Sequence, residues 1–370
     1  MHILVTGGAG FIGSHTIDRL LEKGHTVRIL DNLQKPVHLK GKPSYLPTEA
    51  EFIEGDVTDK PTLEKALEGI DAVYHLAAYQ DYLPDFSTYF HVNAVSTALL
   101  YEIIVERKLP IQKVIVASSQ AVMGEGRHVC SEHGDFFPDI RLEESLRKGE
   151  WEHRCPVCQA ALSCEMSDET VINPRNQYAI SKHTQEVTAI NLGKRYGIPT
   201  VAMRYSIVQG PRQSFYNAYS GAMRIFALHL YFKKQPVIYE DGQQIRDYVN
   251  YQDVVKANVL VLEKEEANYR VFNVGGGKKY SVLDFYSLMQ KVVGREIDPL
   301  VSSFYRYGDT RHIFSDTGAL ESLGWKAEFS VEDSIRAYWE YLNAQNDIED
   351  ILDYAENRMK TLDVVRSIQS

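Results

Sequence analysis

The sequence predicts an α/β fold: a doubly wound parallel sheet with helices on both faces, a smaller C-terminal lobe and a cysteine-rich insertion. Three observations predict it. Through the first 206 residues, short apolar runs alternate with helix-length amphipathic segments, the pattern of strand–helix–strand crossovers. From about residue 210 the texture changes to mixed aromatic and polar segments such as QIRDYVNYQDVV and RVFNVGGG. Between them, residues 125–172 hold all four cysteines in a charged stretch of about 48 residues, far longer than an ordinary connection.

The elements follow in order. HILVT at 2–6 reads as a strand, and SHTIDRLLEKG at 14–24 as an amphipathic helix ended by Gly24. TVRILD at 26–31, EFIEGDV at 51–57, DAVYHLAA at 71–78 and KVIVASS at 113–119 continue the strand series. NQYAISKHTQEVTAINLGKRYG at 176–197 is a long helix, followed by the strand TVAMRYS at 200–206. These divide the chain into a first domain at 1–206, interrupted by the insertion at 125–172, a lobe occupying mainly 207–345, and a charged amphipathic C-terminal helix at 346–370.

The bulk properties exclude several function classes. A formal net charge of −10 over 370 residues argues against general nucleic-acid binding. No apolar run approaches the roughly 20 residues needed to span a bilayer, so no membrane partner is expected. The opening MHILVTGG enters a strand pattern directly, with no room for a signal peptide. Four cysteines in this length do not make a secreted disulfide framework. A soluble, cytoplasmic protein is expected.

TGGAGFIG at 6–13 places Gly7, Gly10 and Gly13 at three-residue spacing between a strand and a helix. Such glycines allow a tight turn, close approach of the backbone to a pyrophosphate, and close packing of helix on sheet. The helix N-terminus then offers unpaired amides to the phosphates. Asp31 follows 18 residues beyond Gly13, at the end of the next strand, where a carboxylate accepts ribose hydroxyls. The combination predicts a Rossmann-type dinucleotide site. Asp31 favours NAD over NADP, because it would repel a 2′-phosphate.

YAISK places Tyr178 and Lys182 one turn apart on one helix face. A free phenol has a pKa near 10, and a neighbouring ammonium and a positive nicotinamide ring both favour its phenolate. The pair is therefore a credible proton acceptor facing a cofactor. By itself the spacing is common on helices; the upstream glycine loop gives it meaning.

With these features the sequence resembles the extended short-chain dehydrogenases/reductases that act on nucleotide sugars. The resemblance rests on TGGAGFIG, Asp31-Asn32, Asp56-Val57, HLAA at 75–78, Asn93, ASS at 117–119, YAISK, GPRQ at 210–213, RDYV at 246–249, FNVGGG at 272–277 and RYGDTRH at 306–312, and covers roughly residues 1–340. It implies that Gly7, Gly10, Phe11, Ile12 and Gly13 cradle NAD. Asp31 and Asn32 would meet the ribose and Asp56 and Val57 the adenine. Leu76, Ala77, Ala78 and Asn93 would line the cofactor, and Lys182 would hold the nicotinamide ribose. Ser119 and Tyr178 would serve the sugar hydroxyl, with Gln120 beside it. Arg246 and Arg306 would clasp a nucleotide diphosphate, a task suited to guanidinium geometry, and Asp309 would also lie at the substrate.

Within that family the residues after the serine discriminate between reactions. Dehydratases carry an Asp-Glu pair there, decarboxylating members a glutamate, and 3,5-epimerases a cysteine. Here Gln120 and Ala121 follow Ser119, which leaves oxidation and re-reduction at C4 of a nucleotide-diphosphate sugar, the 4-epimerase reaction. The sequence resembles enzymes of the UDP-glucose 4-epimerase type and, in finer detail, the dTDP-L-rhamnose 4-epimerase-like enzymes among them. Ile207 and Met123 depart from the family's usual Asn and Tyr, and both changes fall at the sugar pocket. A product-releasing dehydrogenase or reductase and a non-catalytic NAD sensor are the alternative classes; an intact Ser119, Tyr178 and Lys182 set argues against the sensor. The family also predicts a homodimer built on a four-helix bundle, from the 93–106 segment and the Tyr178 helix.

In the insertion, RCPVC supplies Cys155 and Cys158, and VCSEHG supplies Cys130 and His133, the two pairs separated by 21 residues. Two close pairs of this kind have the layout of a structural, zinc-ribbon-like site. A metal would replace the core that a polar stretch cannot build. Cys164 is the alternative to His133. A redox pair is less favoured, because no thioredoxin-like strand precedes it, and four protein ligands leave no open position for catalysis. Reduced loop cysteines are the remaining alternative.

Overall fold

The computed structural model describes residues 1–81, 83–216 and 221–368. Its central sheet contains seven parallel strands: β1 (His2–Thr6), β2 (Thr26–Asp31), β3 (Glu51–Glu54), β4 (Ala72–His75), β5 (Lys113–Ser119), β6 (Thr200–Tyr205) and β7 (Arg270–Val274). Their spatial order is β7-β6-β5-β4-β1-β2-β3. The order reverses between β1 and β4, and ligands of open parallel sheets bind in the crevice beyond the strand ends at such a reversal.

The strands read as continuous apolar runs because both faces are covered. Alternate residues point to opposite layers. Ile3, Val5, Tyr74, Ile115, Val201 and Met203 pack on one side, with helices α1 (Phe11–Glu22) and α5 (Tyr251–Glu263). Leu4, Leu30, Val73, Val114, Val116 and Ala202 pack on the other, beneath α2 (Lys60–Ala66), α3 (Ser96–Arg107) and α4 (Gln177–Tyr196).

Two sequence-based boundaries shift. Helix α1 opens at Phe11 rather than Ser14, because the glycines that read as a turn are themselves the helix entry. The lobe predicted at 207–345 is not contiguous: α5 and β7 return the chain to the central sheet. Their apolar runs, VVKANVLVL and VFNV, were obscured by polar and aromatic flanks. The second lobe proper is built by helices Ala222–Phe232, Val282–Val293 and Val331–Asn343 around Phe226, Phe285, Tyr286, Met289, Tyr338 and Leu342. Buried Asp247 sutures it to the sheet layer, accepting from the Ser206 hydroxyl and the Gly276 and Ser315 amides. A Cβ on Gly276 would lie 1.8 Å from the Tyr248 carbonyl oxygen, which explains the glycine run in FNVGGG.

The C-terminal segment is not one helix. It forms a helix over Leu352–Thr361, reverses at Asp363 with φ +53°, and ends in a strand, Val365–Ser367, paired antiparallel with Phe304–Arg306. The insertion folds as a three-stranded antiparallel sheet of Gly134–Phe136, His128–Cys130 and Ser163–Cys164. Its own core is small, with Cys130, Cys155 and Leu162 packed against Phe136.

Candidate active site

The glycine loop spans β1 and α1. Gly7 has φ +66°, and a Cβ there would lie 2.7 Å from the Ala77 amide nitrogen; one on Gly13 would lie 2.4 Å from the Gly7 carbonyl oxygen. Loop, helix and the strand end at Leu76–Ala78 are thus in close contact. Helix α1 has no side-chain cap on its first amides and no acidic residue in its first turn. Those amides, including Phe11, Ile12 and Gly13, suit an anion. The donor set therefore fits a dinucleotide pyrophosphate.

Asp31 is buried at the end of β2. Its carboxylate accepts from the Ala9 amide at 2.9 Å and the Leu33 amide at 2.9 Å, joining the glycine loop to the next strand end. Asn32 donates to Asp56 at 2.8 Å, and Asp56 also accepts from the Thr58 amide and hydroxyl. Burial opposes the Asp56 charge, but these hydrogen bonds prevail and its pKa is lowered. Val57 is buried beside it. Leu76 and Ala77 donate their amides to Thr6, and Ala78 is exposed. Asn93 is wholly buried. It accepts from the Tyr79 amide and donates to the Tyr79 carbonyl and the Ser181 hydroxyl. Its amide thus fixes the loop after β4 against α4.

Ser119 ends β5, and Tyr178 is the second residue of α4. The Asn176 side chain caps that helix by accepting from the Ala179 amide at 2.8 Å, which fixes the start of the helix and so the placement of Tyr178. Ser119 lies close enough to the Tyr178 phenol to favour its ionised form, and its Oγ accepts from the Ala121 amide at 3.2 Å. One turn on, Lys182 is buried. Its Nζ donates to the Ala117 carbonyl at 2.8 Å and to Gln185 Oε1 at 2.9 Å. Burial pushes the Tyr178 pKa up to about 12, opposed by the Ser119 hydroxyl. Burial also pushes the Lys182 pKa down to about 7. The protein interior therefore disfavours charge on either group, and a positive charge placed against Tyr178 would restore its acidity.

Sequence reasoning missed the supports of this set. Gln185, fully buried, orients Lys182 and donates to Thr97. Glu186 accepts from the Ser118 hydroxyl and pairs with buried Arg204 through two hydrogen bonds of 2.9 and 2.6 Å. Both lie on the inward face of α4. Polar residues three and four positions after Lys182 were the available signal.

Of the residues expected at the substrate, Gln120 is buried next to Ser119. Arg246 donates to the Ile245, Thr310 and Arg311 carbonyls at 2.9–3.0 Å. Its guanidinium lies 4.0 Å from Asp309, which pairs with Arg306 at 2.9 Å. Arg246 and Arg306, the two residues expected at the diphosphate, thus both lie beside Asp309. In the insertion, the ligand atoms of Cys130, His133, Cys155 and Cys158 all lie within 4.8 Å of one another. Cys164 is outside this group and makes a hydrogen bond of 3.8 Å to the Glu165 carbonyl. His133, not Cys164, completes the set.

A parallel sheet with a glycine loop at its reversal point, and a Ser–Tyr–Lys set beside it, defines a dinucleotide-dependent enzyme. Comparison with known proteins agrees. Residues 3–139 and 157–275 match the model of the NAD dependent epimerase/dehydratase family. The chain is 31% identical over 340 residues to a dTDP-L-rhamnose 4-epimerase of Burkholderia thailandensis, covering 90% of this chain and 92% of the relative. It resembles the crystal structure of Thermotoga maritima UDP-glucose 4-epimerase with UDP-glucose, with a TM-score of 0.76, 29% identity and coverage of 93% of this chain and 99% of that one. The NAD complex of UDP-glucose 4-epimerase from Thermus thermophilus is similar, with a TM-score of 0.73, 26% identity and coverage of 94% and 100%. The chain belongs to the NAD dependent epimerase/dehydratase family.

Proposed function

We propose that the protein inverts C4 of a nucleotide-diphosphate sugar. The observation that carries this reading is Ser119 close enough to Tyr178 to lower the phenol's pKa, with Lys182 one turn away and no carboxylate following the serine. Bound NAD would accept and return the C4 hydride. Tyr178 would take the C4 hydroxyl proton, Ser119 would hold that oxygen, and Lys182 would fix the nicotinamide ribose and favour the phenolate. The glycine loop, Asp31, Asn32, Asp56, Val57 and Leu76–Ala78 would hold the dinucleotide, with Asn93 positioning that loop. Arg246 and Arg306 would grip the diphosphate, with Asp309 holding the two guanidiniums, while the 4-keto sugar turns to present its other face. Gln120 would lie beside the sugar. Residues 1–206 with α5 and β7 form the NAD-binding unit in this reading, and the remainder of 207–345 serves the substrate.

Incubation with UDP-glucose, UDP-N-acetylglucosamine or dTDP-L-rhamnose, followed by proton NMR of the sugar, is expected to show C4 inversion for at least one. Mass spectrometry of the denatured protein is expected to release NAD and not NADP. Stoichiometric release of a keto-sugar, or NADP as the bound dinucleotide, would reject the reading.

The same reading makes Cys130, His133, Cys155 and Cys158 a structural zinc site. It makes the protein a cytoplasmic homodimer, paired through the α3 and α4 faces. Val95, Ile180 and Val187 support the pairing: they are 48%, 42% and 45% exposed on or next to those helices. Light scattering is expected to give twice the chain mass at micromolar concentration, and Val187→Glu is expected to shift it to the monomer; a monomeric unmodified protein would reject pairing. No helix among the described residues is long and apolar enough to cross a membrane.

A further inference from the structure

Three of the distances within the cysteine–histidine group match those between tetrahedral zinc ligands. Cys130 Sγ lies 3.6 Å from Cys158 Sγ and 3.5 Å from His133 Nδ1, and Cys155 Sγ lies 3.6 Å from His133 Nδ1. Bonds of about 2.3 Å to sulfur and about 2.0 Å to nitrogen place tetrahedral ligands roughly 3.5–3.8 Å apart. All four cysteines are free thiols, and 3.6 Å is too long for a disulfide.

What this site supports lies immediately upstream of Cys155. The chain turns back on itself from His153 to Leu162, held by hydrogen bonds between Leu162 and His153 and between Cys155 and Ala160. Glu152, at the base of that turn, accepts from Arg311 Nε at 3.0 Å and contacts His312 Nε2 at 2.8 Å. His153 lies 3.2 Å from Glu125, and Glu125 accepts from the Arg311 amide at 2.8 Å. Arg311 is wholly buried, and Glu240 and Asp241 of the second lobe complete its partners. Arg141 of the insertion pairs with the same Glu240 and donates to the Asp309 carbonyl. The Thr310 and Arg311 carbonyls in turn hold Arg246. The family model leaves residues 140–156 unmatched, the stretch that contributes Arg141, Glu152, His153 and Cys155.

We infer that the metal site is a strut for the substrate clasp: one zinc ion at Cys130, His133, Cys155 and Cys158 fixes the turn bearing Glu152 and His153, which hold the 309–312 segment that orients Arg246. This rests on reading the cluster as a zinc site and Arg246 as part of a nucleotide-diphosphate clasp. The small core of the insertion has too few apolar side chains to offset the chain entropy of the stretch, so the ion supplies the fixed point. Glu152 and His153 are positioning residues; they reach the ligand only through Arg311, His312 and Arg246.

The test uses the full-length protein purified without chelators. Elemental analysis is expected to find about one zinc per chain, and cobalt(II) in its place is expected to give tetrahedral bands with thiolate charge transfer. Cys155→Ser is expected to lose the metal, keep bound NAD and bind UDP and dTDP about tenfold more weakly by calorimetry, the scale of a modest misplacement. Glu152→Gln is expected to keep the zinc and weaken the same binding. With UDP-glucose or dTDP-L-rhamnose, whichever turns over, it should raise KM while leaving kcat within about twofold, and Glu152→Asp should recover part of the loss. Absence of zinc from the unmodified protein overturns the inference. Unchanged UDP and dTDP affinity in zinc-free protein overturns it too, and leaves the nucleotide-sugar reading standing. If Cys155→Ser does not fold, unchanged binding in zinc-loaded Glu152→Gln decides against it. A wild-type protein that binds zinc but none of UDP, dTDP, GDP, CDP and ADP overturns the clasp and the nucleotide-sugar reading together.

Discussion

Tyr178→Phe is expected to keep its NAD and to lose turnover by a factor of about 10² to 10⁴, the usual scale for removing a positioned base. The substitution removes one oxygen from a partly buried ring and leaves the Asn176 cap and the remainder of α4 in place. A loss of activity would therefore report chemistry rather than folding. The pH profile should carry the same information. Burial holds the phenol near 12, while the oxidised nicotinamide favours its ionised form, and Lys182, lowered to about 7 by burial, adds its positive charge only below that pH. Activity should rise with pH through the apparent pKa of Tyr178 in the cofactor-loaded enzyme, and that rise should be absent from the residual activity of Tyr178→Phe. Near-normal epimerisation by the variant, measured by sugar NMR, would remove Tyr178 from the mechanism.

The second large effect concerns stability. Glu186→Ala is expected to destabilise the protein by about 3–5 kcal/mol, because it strands a buried guanidinium without its counter-charge. Arg204 is wholly buried, and Glu186 provides its carboxylate partner. The same carboxylate holds the hydroxyl of Ser118, the residue before Ser119, so the variant should also lose activity where it remains folded. Replacing both partners, as Glu186→Leu with Arg204→Met, should recover much of the stability, since a well-packed apolar pair avoids the desolvation cost. Thermal unfolding of the three proteins checks this. A loss below about 1 kcal/mol in Glu186→Ala, the scale of an exposed pair, would show that the pair is not the stabilising contact its burial implies.

Much of the fold was legible because its signals are local. β1, β2 and β5 read directly as HILVT, TVRILD and KVIVASS, since strands covered on both faces need an unbroken apolar run. Helix α4 lies between Asn176 and Gly197, the expected cap residues. Strand β7 and helix α5 were assigned to the wrong lobe, because no local pattern states which sheet an apolar run will join. The C-terminal strand was read as helix, since its pairing partner at Phe304–Arg306 lies about sixty residues away in sequence.

The candidate site divides along the same line. By itself the sequence determined the glycine loop, the Tyr178–Lys182 spacing and the two close Cys/His pairs of the insertion, because each is a short-range pattern whose geometry follows from backbone periodicity. Only the tertiary structure decided that His133 rather than Cys164 joins the cysteines, that Gln185 and Glu186 brace the Ser–Tyr–Lys set, and that Glu152 reaches Arg311 across the lobes. Those choices depend on which distant groups share a buried volume. A buried charge or amide must find its partner wherever the packing places one, and spacing along the chain carries no record of that placement.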